Sequence, residues 1–98
     1  MEMRVRIRLF GVFRSAAKTA ELELYFAEDG PTVKAAMSKL FSDRALATLE
    51  NLVVNSENDP RSNALIMVSG RDISSLDGLD TILASNDVLS LIPLVHGG

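Results

Sequence analysis

Between Arg4 and Leu9 the chain alternates without a break: Arg4, Arg6 and Arg8 are charged, while Val5, Ile7 and Leu9 are apolar. Period two is the repeat of an extended strand, whose successive side chains leave opposite faces. A helix would scatter these arginines around its girth. A strand sorts them onto one wet face and leaves the other face to be buried. Glu21 to Phe26 shows the same pattern, with Leu22, Leu24 and Phe26 on one side and Glu21 and Glu23 on the other. Paired antiparallel, the two strands set Arg6 and Arg8 opposite Glu21 and Glu23, each cross-strand pair contributing a few tenths to about 1 kcal/mol. The basic alternation is therefore read as a solvated sheet face, not a phosphate site.

A cover for the buried face follows in sequence. Phe10-Gly11-Val12-Phe13 is read as an extension of the first strand, Gly11 allowing a bulge or close approach, with Arg14 to Thr19 as the turn. After the second strand, Pro31 blocks sheet pairing and Thr32 is a suitable helix N-cap. Val33, Ala36, Met37, Leu40 and Phe41 then recur at helical spacing, a stripe broad enough to lie across a sheet. Met37 is core filling there, not a ligand. Asp43 to Leu49 is read as a short helical turn and Asn55 to Asn63 as a polar loop.

Leu65 to Val68 is the next strand, turned at Ser69-Gly70, with Arg71 to Ile73 pairing back briefly. Leu76, Leu79, Ile82 and Leu83 anchor a polar connection, and Ser85-Asn86-Asp87 turns into a last strand, Val88 to Ile92, ended by Pro93. Asn86 is suited to the left-handed conformation of such a turn. This is an α+β order, with one main helix on a mixed sheet. If Leu89 and Leu91 face the helix, Ser90 and Ile92 point away from it. Ile92 with Phe10 or Val12 would then form an exposed apolar patch.

Composition narrows the chemistry. A net charge of −3 argues against a nucleic-acid binder, and the absence of cysteine removes disulfides, thiolate metal sites and thiol nucleophiles. No apolar run reaches the roughly 18 residues of a membrane span, and no signal-peptide core is present, so a cytoplasmic location is expected. Asp72, Asp77, Asp80 and Asp87 read as turn residues, and the single histidine, His96, lacks the orienting neighbours of a general base. No catalytic constellation and no metal site emerge. The chain reads as something acted upon, not as an enzyme.

What it offers is Gly97-Gly98, placed directly after the apolar run Leu91-Ile92-Pro93-Leu94-Val95 and His96. Without a Cβ, two glycines take almost any backbone angles and let surrounding atoms close on the chain. Residues 1–93 are thus read as one domain and 94–98 as a flexible tail that can be threaded, extended, into a channel. Two readings stay open: a frayed end, or a carboxylate presented as a reactant.

Arg6-Ile7-Arg8-Leu9-Phe10-Gly11, Pro31-Thr32-Val33, Val68 to Ile73, Leu79 to Leu83 and Asn86 to Gly98 together resemble MoaD/ThiS-type ubiquitin-like proteins. The group includes the small archaeal modifier proteins and the ubiquitin-related modifier, whose tail also ends His-Gly-Gly. The resemblance leaves only the loop from Asn51 to Asn63 unmatched. It departs from the usual pattern at Ser69-Gly70, where Asn-Gly is common, and at Asn86-Asp87, where Gly-Asp is common. The first change suggests a hairpin turn of a different type.

The resemblance implies a β-grasp fold and a carrier or modifier role. The Gly98 carboxylate would be adenylated by an activating enzyme that itself holds ATP, with no cofactor bound tightly by the carrier. It would then be thiocarboxylated for sulfur transfer or conjugated to lysines of target proteins. Leu94, Val95, His96 and Gly97 would thread into the partner; docking is expected on the sheet face that carries Ile92, with Phe10 or Val12 beside it, because the tail alone offers too little area. A molybdopterin synthase large subunit is a further implied partner, the chain then serving as the small subunit. No contact with nucleic acid or membrane is implied. The alternative is a β-grasp binding or regulatory module with no chemistry at its C-terminus.

Overall fold

The computed structural model describes residues 2–27, 30–54 and 59–94. Five strands form one mixed sheet: β1 (Met3–Leu9), β2 (Glu21–Phe26), β3 (Ala64–Val68), β4 (Arg71–Asp72) and β5 (Val88–Pro93), in the spatial order β2-β1-β5-β3-β4. The first and last strands lie side by side and parallel at the centre, Arg8 level with Ser90 and Leu9 with Leu91. β2 flanks β1 antiparallel, and β3 flanks β5 antiparallel. This is the β-grasp arrangement.

The alternation read from the sequence becomes burial. Met3, Val5, Ile7 and Leu9 are buried while Arg4, Arg6 and Arg8 are exposed. Leu89 and Leu91 are fully buried beside them, each contributing roughly 1.5–3 kcal/mol. The register sets Arg6 against Glu23 and Arg8 against Glu21. The ion pairs run diagonally, Arg6 to Glu21 at 2.8 Å and Arg4 to Glu23 at 3.9 Å. As an edge strand, β2 has backbone groups turned to solvent. The Thr19 hydroxyl bonds both the N–H and the carbonyl of Glu21, and the Lys39 ammonium donates to the Tyr25 carbonyl. Both contacts obstruct pairing with another chain.

The longest helix, α2 (Val33–Phe41), starts at Thr32, whose hydroxyl accepts the Ala35 N–H at 3.1 Å. Val33, Ala36, Met37 and Leu40 are buried against the sheet. The predicted turn after it is a 3-10 turn at Arg44–Leu46 running into α3 (Ala47–Val53), which buries Leu49 and Val53.

Four expectations need correction. Phe10 to Phe13 does not extend β1: a helix, α1 (Gly11–Ala17), begins there, because Gly11 takes φ +54° and turns the chain back. Phe13 is thereby driven into the core, with Ala16 and Ala17 packed at its edge. Ile82 does not anchor the connection. It is 68% exposed, whereas Leu83 is buried and Leu76 and Leu79 are partly buried. The reason is a β-bridge between Thr32 and Ile82 that fixes alternate residues to opposite sides. Ser69-Gly70 has positive φ at both residues, +48° and +88°, as a type I′ turn requires. Serine is held there by its hydroxyl, which donates to Asp87 at 2.8 Å and accepts from the Val88 N–H at 3.2 Å. Finally, Pro93 does not end the pairing but is the last residue of β5, level with Ala64.

Candidate functional site

The region of interest is where β5 delivers the chain to its tail. The Leu94 N–H donates to the Asn63 carbonyl at 3.0 Å, so the antiparallel ladder with β3 continues one residue past the strand. Donors alternate sides along a strand, so the donor that Pro93 lacks would face β1. β1 has already ended at Leu9, level with Leu91, and no ladder bond is lost. Gly11 fills the vacated position. A Cβ on it would lie 3.1 Å from Pro93 Cγ, so the start of α1 packs backbone-close against the root of the tail.

Val95, His96, Gly97 and Gly98, four of the residues expected to thread or react, lie outside the described residues. Leu94, the fifth, is 41% exposed. Covalent geometry alone limits the four that follow to about 14 Å of reach from it. A partner acting on Gly98 must therefore seat against surface close to Pro93 and Leu94.

That surface is apolar. Phe10 has extended backbone angles, φ −128° and ψ 156°, and continues the outward side of β1 after Arg8. It directly follows Leu9 of the Leu9–Leu91 pair as Ile92 directly follows Leu91; Ile92 is half-buried and level with Leu65 of β3. Ile92 and Leu65 are thus paired on the outward side of β5 and β3, and Phe10, 38% exposed, follows the end of β1 on the same side. Met67, level with Ser90, widens this group.

Val12 does not join this group. The turn into α1 carries it to the helical side, where it lines a groove of about 240 Å³ with Leu52, Asn63, Pro93 and Leu94. A second groove, on the β3 side, holds Leu65, Ile73, Arg61 and Leu94. Leu94 therefore borders both. Sequence reasoning missed Leu65, Met67 and Leu52: Leu65 was visible as a strand residue, but its neighbour across the sheet follows only from the register.

Electrostatics divide the outer face. On the β1–β2 half, Tyr25 donates its hydroxyl to Glu23, which raises the tyrosine pKa through that bond and the carboxylate's charge. The half near the tail carries Ile92, Leu65 and Met67, with Asp72 and Arg61 at its β3–β4 edge. Among the described residues, no three His, Cys, Asp or Glu side chains gather as metal ligands, and no helix is long and apolar enough to cross a membrane. A hollow of about 390 Å³ between α2 and α3, lined by Met37, Phe41, Val54 and Leu79, lies in the helical layer.

The fold is shared with known proteins. Small archaeal modifier protein 1 from Haloferax volcanii is 22% identical with a TM-score of 0.80, the match covering 97% of this chain and 99% of that one. Urm1 from Trypanosoma brucei is 20% identical with a TM-score of 0.73, covering 99% and 97%. A chain from the complex of subunits 1 and 2 of the molybdopterin-converting factor of Helicobacter pylori is 26% identical with a TM-score of 0.56, covering 98% and 100%. No curated protein sequence matches the chain. The model of the ThiS family matches residues 7–98, from the middle of β1 through Gly98. The chain belongs to the ThiS family, and its fold is the ubiquitin-like β-grasp of the modifiers and converting-factor subunits it is similar to.

Proposed function

We propose that this chain is a carrier or modifier protein whose reactant is the carboxylate of Gly98. The observation that carries the reading is the family match running through Gly98 onto a tail rooted beside Phe10, Ile92 and Leu65. The chemistry explains the need for a partner. A C-terminal carboxylate, with a pKa near 3.3–3.7, is ionised at neutral pH and is a poor acyl donor. An activating enzyme holding ATP has the Gly98 oxygen attack the α-phosphate, releasing pyrophosphate and leaving an acyl-adenylate. A sulfur donor then displaces AMP to give a thiocarboxylate. Alternatively, a lysine amine of a target protein displaces it to give an isopeptide bond.

In this reading the carrier supplies the carboxylate, a narrow tail and a docking face. ATP belongs to the activating partner, and the reaction takes place in the cytoplasm. The Helicobacter pylori relative, a complex of subunits 1 and 2, supports a second partner of the synthase large-subunit kind. The tail alone offers too little area for a specific complex, since stable interfaces usually bury about 800 Å² per partner. The outward side of β5 and β3, with Phe10 beside it, supplies the remainder next to Leu94.

ATP–pyrophosphate exchange driven by the purified activating enzyme tests this. Deleting Gly98 should abolish exchange while the circular dichroism spectrum is retained. Gly97→Val should slow it by adding a Cβ where the channel closes on the backbone. Equal exchange by the full-length and truncated chains would reject the carboxylate as reactant and favour a binding module.

A further inference from the structure

On the β1–β2 side of the outer sheet face, Arg8 is a cation that forms no ion pair among the described residues. Arg4, Arg6 and Arg8 project from it side by side, with Glu21 and Glu23 opposite on β2. Glu21 is level with Arg8, yet its carboxylate pairs with Arg6 at 2.8 Å. Glu23 is shared between Arg4 and the Tyr25 hydroxyl. Arg8 is left over. Among the described residues it forms no ion pair, and its guanidinium rests over the Phe10 ring, 5.8 Å from the centroid. Its neighbours across the sheet, Ser90 and then Met67, are uncharged, and the next in that row, Asp72 of β4, has its carboxylate bonded to the Ser74 N–H. The cation therefore stands at the seam between the ion-paired half of the face and the apolar side chains of Phe10, Ile92 and Leu65.

We infer that Arg8 is a specificity-determining contact of the docking face, and that the partner seated on Phe10 and Ile92 carries a carboxylate at the rim of an apolar patch. This rests on the carrier reading above. A surface closing over Phe10 must also strip water from the guanidinium lying on that ring. An apolar or basic surface would leave the cation unpaired and pay a desolvation penalty, whereas a carboxylate converts the same burial into a charge-assisted hydrogen bond. The contact thus discriminates between partners as much as it binds them. Arg4 and Arg6 cannot take this role without first giving up their glutamates. The planar guanidinium of Arg8 already rests over the Phe10 ring, so less side-chain freedom is lost when it pairs.

The test is ATP–pyrophosphate exchange with the full chain and its purified activating enzyme, comparing wild type, Arg8→Ala, Arg8→Glu and Lys34→Glu. Lys34 is exposed in the first turn of α2, on the helical layer, and its reversal changes net charge by the same amount. Arg8→Glu should raise the KM for the carrier by about tenfold or more, because like charges would then face each other, with kcat retained. Arg8→Ala should raise KM less and weaken its dependence on salt, and Lys34→Glu should leave KM unchanged. Circular dichroism should be identical for all four. A KM for Arg8→Glu equal to wild type, or an equal rise for Lys34→Glu, overturns the inference alone. Absence of exchange with the wild-type chain overturns the carrier reading and this inference with it.

Discussion

Replacing Gly11 with alanine sets two physical arguments against each other with opposite signs. Gly11 opens α1, and helix propensity alone favours alanine there by about 1 kcal/mol. Its φ, however, is +54°, a conformation that costs a residue with a Cβ about 1–2 kcal/mol. The new Cβ would also stand 3.1 Å from Pro93 Cγ and 3.7 Å from Cδ, forcing Pro93 to yield by a few tenths of an ångström. Pro93 has little room to move, since it is paired with Ala64 on its other side. The propensity gain applies only to right-handed backbone, so it does not offset the cost. Gly11→Ala should therefore lose about 1–2 kcal/mol. For a chain of this size, at about 4–8 °C per kcal/mol, the Tm falls by about 4–16 °C. Thermal unfolding followed by circular dichroism measures it, with urea titration to show that the m-value is unchanged. A Tm equal to or above wild type would mean that α1 does not begin in the left-handed region and that Gly11 does not brace the root of the tail.

Ile92→Asp places a charge on the outward side of β5 and should weaken binding to the activating enzyme by about tenfold or more, roughly 1.4 kcal/mol. Its Tm should stay within a few degrees of wild type, and undiminished binding would move the docking surface elsewhere. Ser69→Ala removes both hydroxyl bonds yet keeps a Cβ at φ +48°, and should cost about 1–2 kcal/mol. Ser69→Gly relieves the backbone and should cost less; the reverse order of Tm values would refute the account of that turn. Arg61 holds the Asp59 carboxyl down to about 2 through its side-chain and backbone hydrogen bonds. A folded pKa below the unfolded value of about 3.9 stabilises the protein above that pH, and the contribution disappears as pH falls through about 2. The Tm difference between wild type and Asp59→Asn should shrink over this interval; one that does not shrink would show that the charge of Asp59 is not what stabilises.

Strand pairing was legible because period two allows one solution: Val5, Ile7 and Leu9 must share a face, and Leu22, Leu24 and Phe26 must meet them. The outward direction of Ile92 followed in the same way from Leu89 and Leu91. α1 was not legible. Phe13, Ala16 and Ala17 do carry helical spacing, but over a single turn that signal is indistinguishable from a strand continuing past Phe10. The sign of φ at Gly11 decided the matter, and the close approach to Pro93 that goes with it joins residues more than eighty positions apart. The same error misplaced Val12, which belongs with Leu52 and Leu94 on the helical side. Leu65 entered the site only once the β3–β5 register placed it level with Ile92. The ion pairs show the same limit, since opposition of Arg8 and Glu21 was readable but the diagonal choice of Arg6 was not.

Intact-mass spectrometry shows whether the terminal carboxylate of Gly98 is the reacting group. The full-length chain is incubated with its activating enzyme, ATP and a sulfur donor, then weighed whole and after proteolysis. The expected result is a mass gain equal to the difference between sulfur and oxygen, confined to the peptide that ends in Gly97-Gly98 and absent without ATP. An unchanged mass under conditions where the activating enzyme converts its own established carrier, or sulfur found on any other peptide, would contradict it.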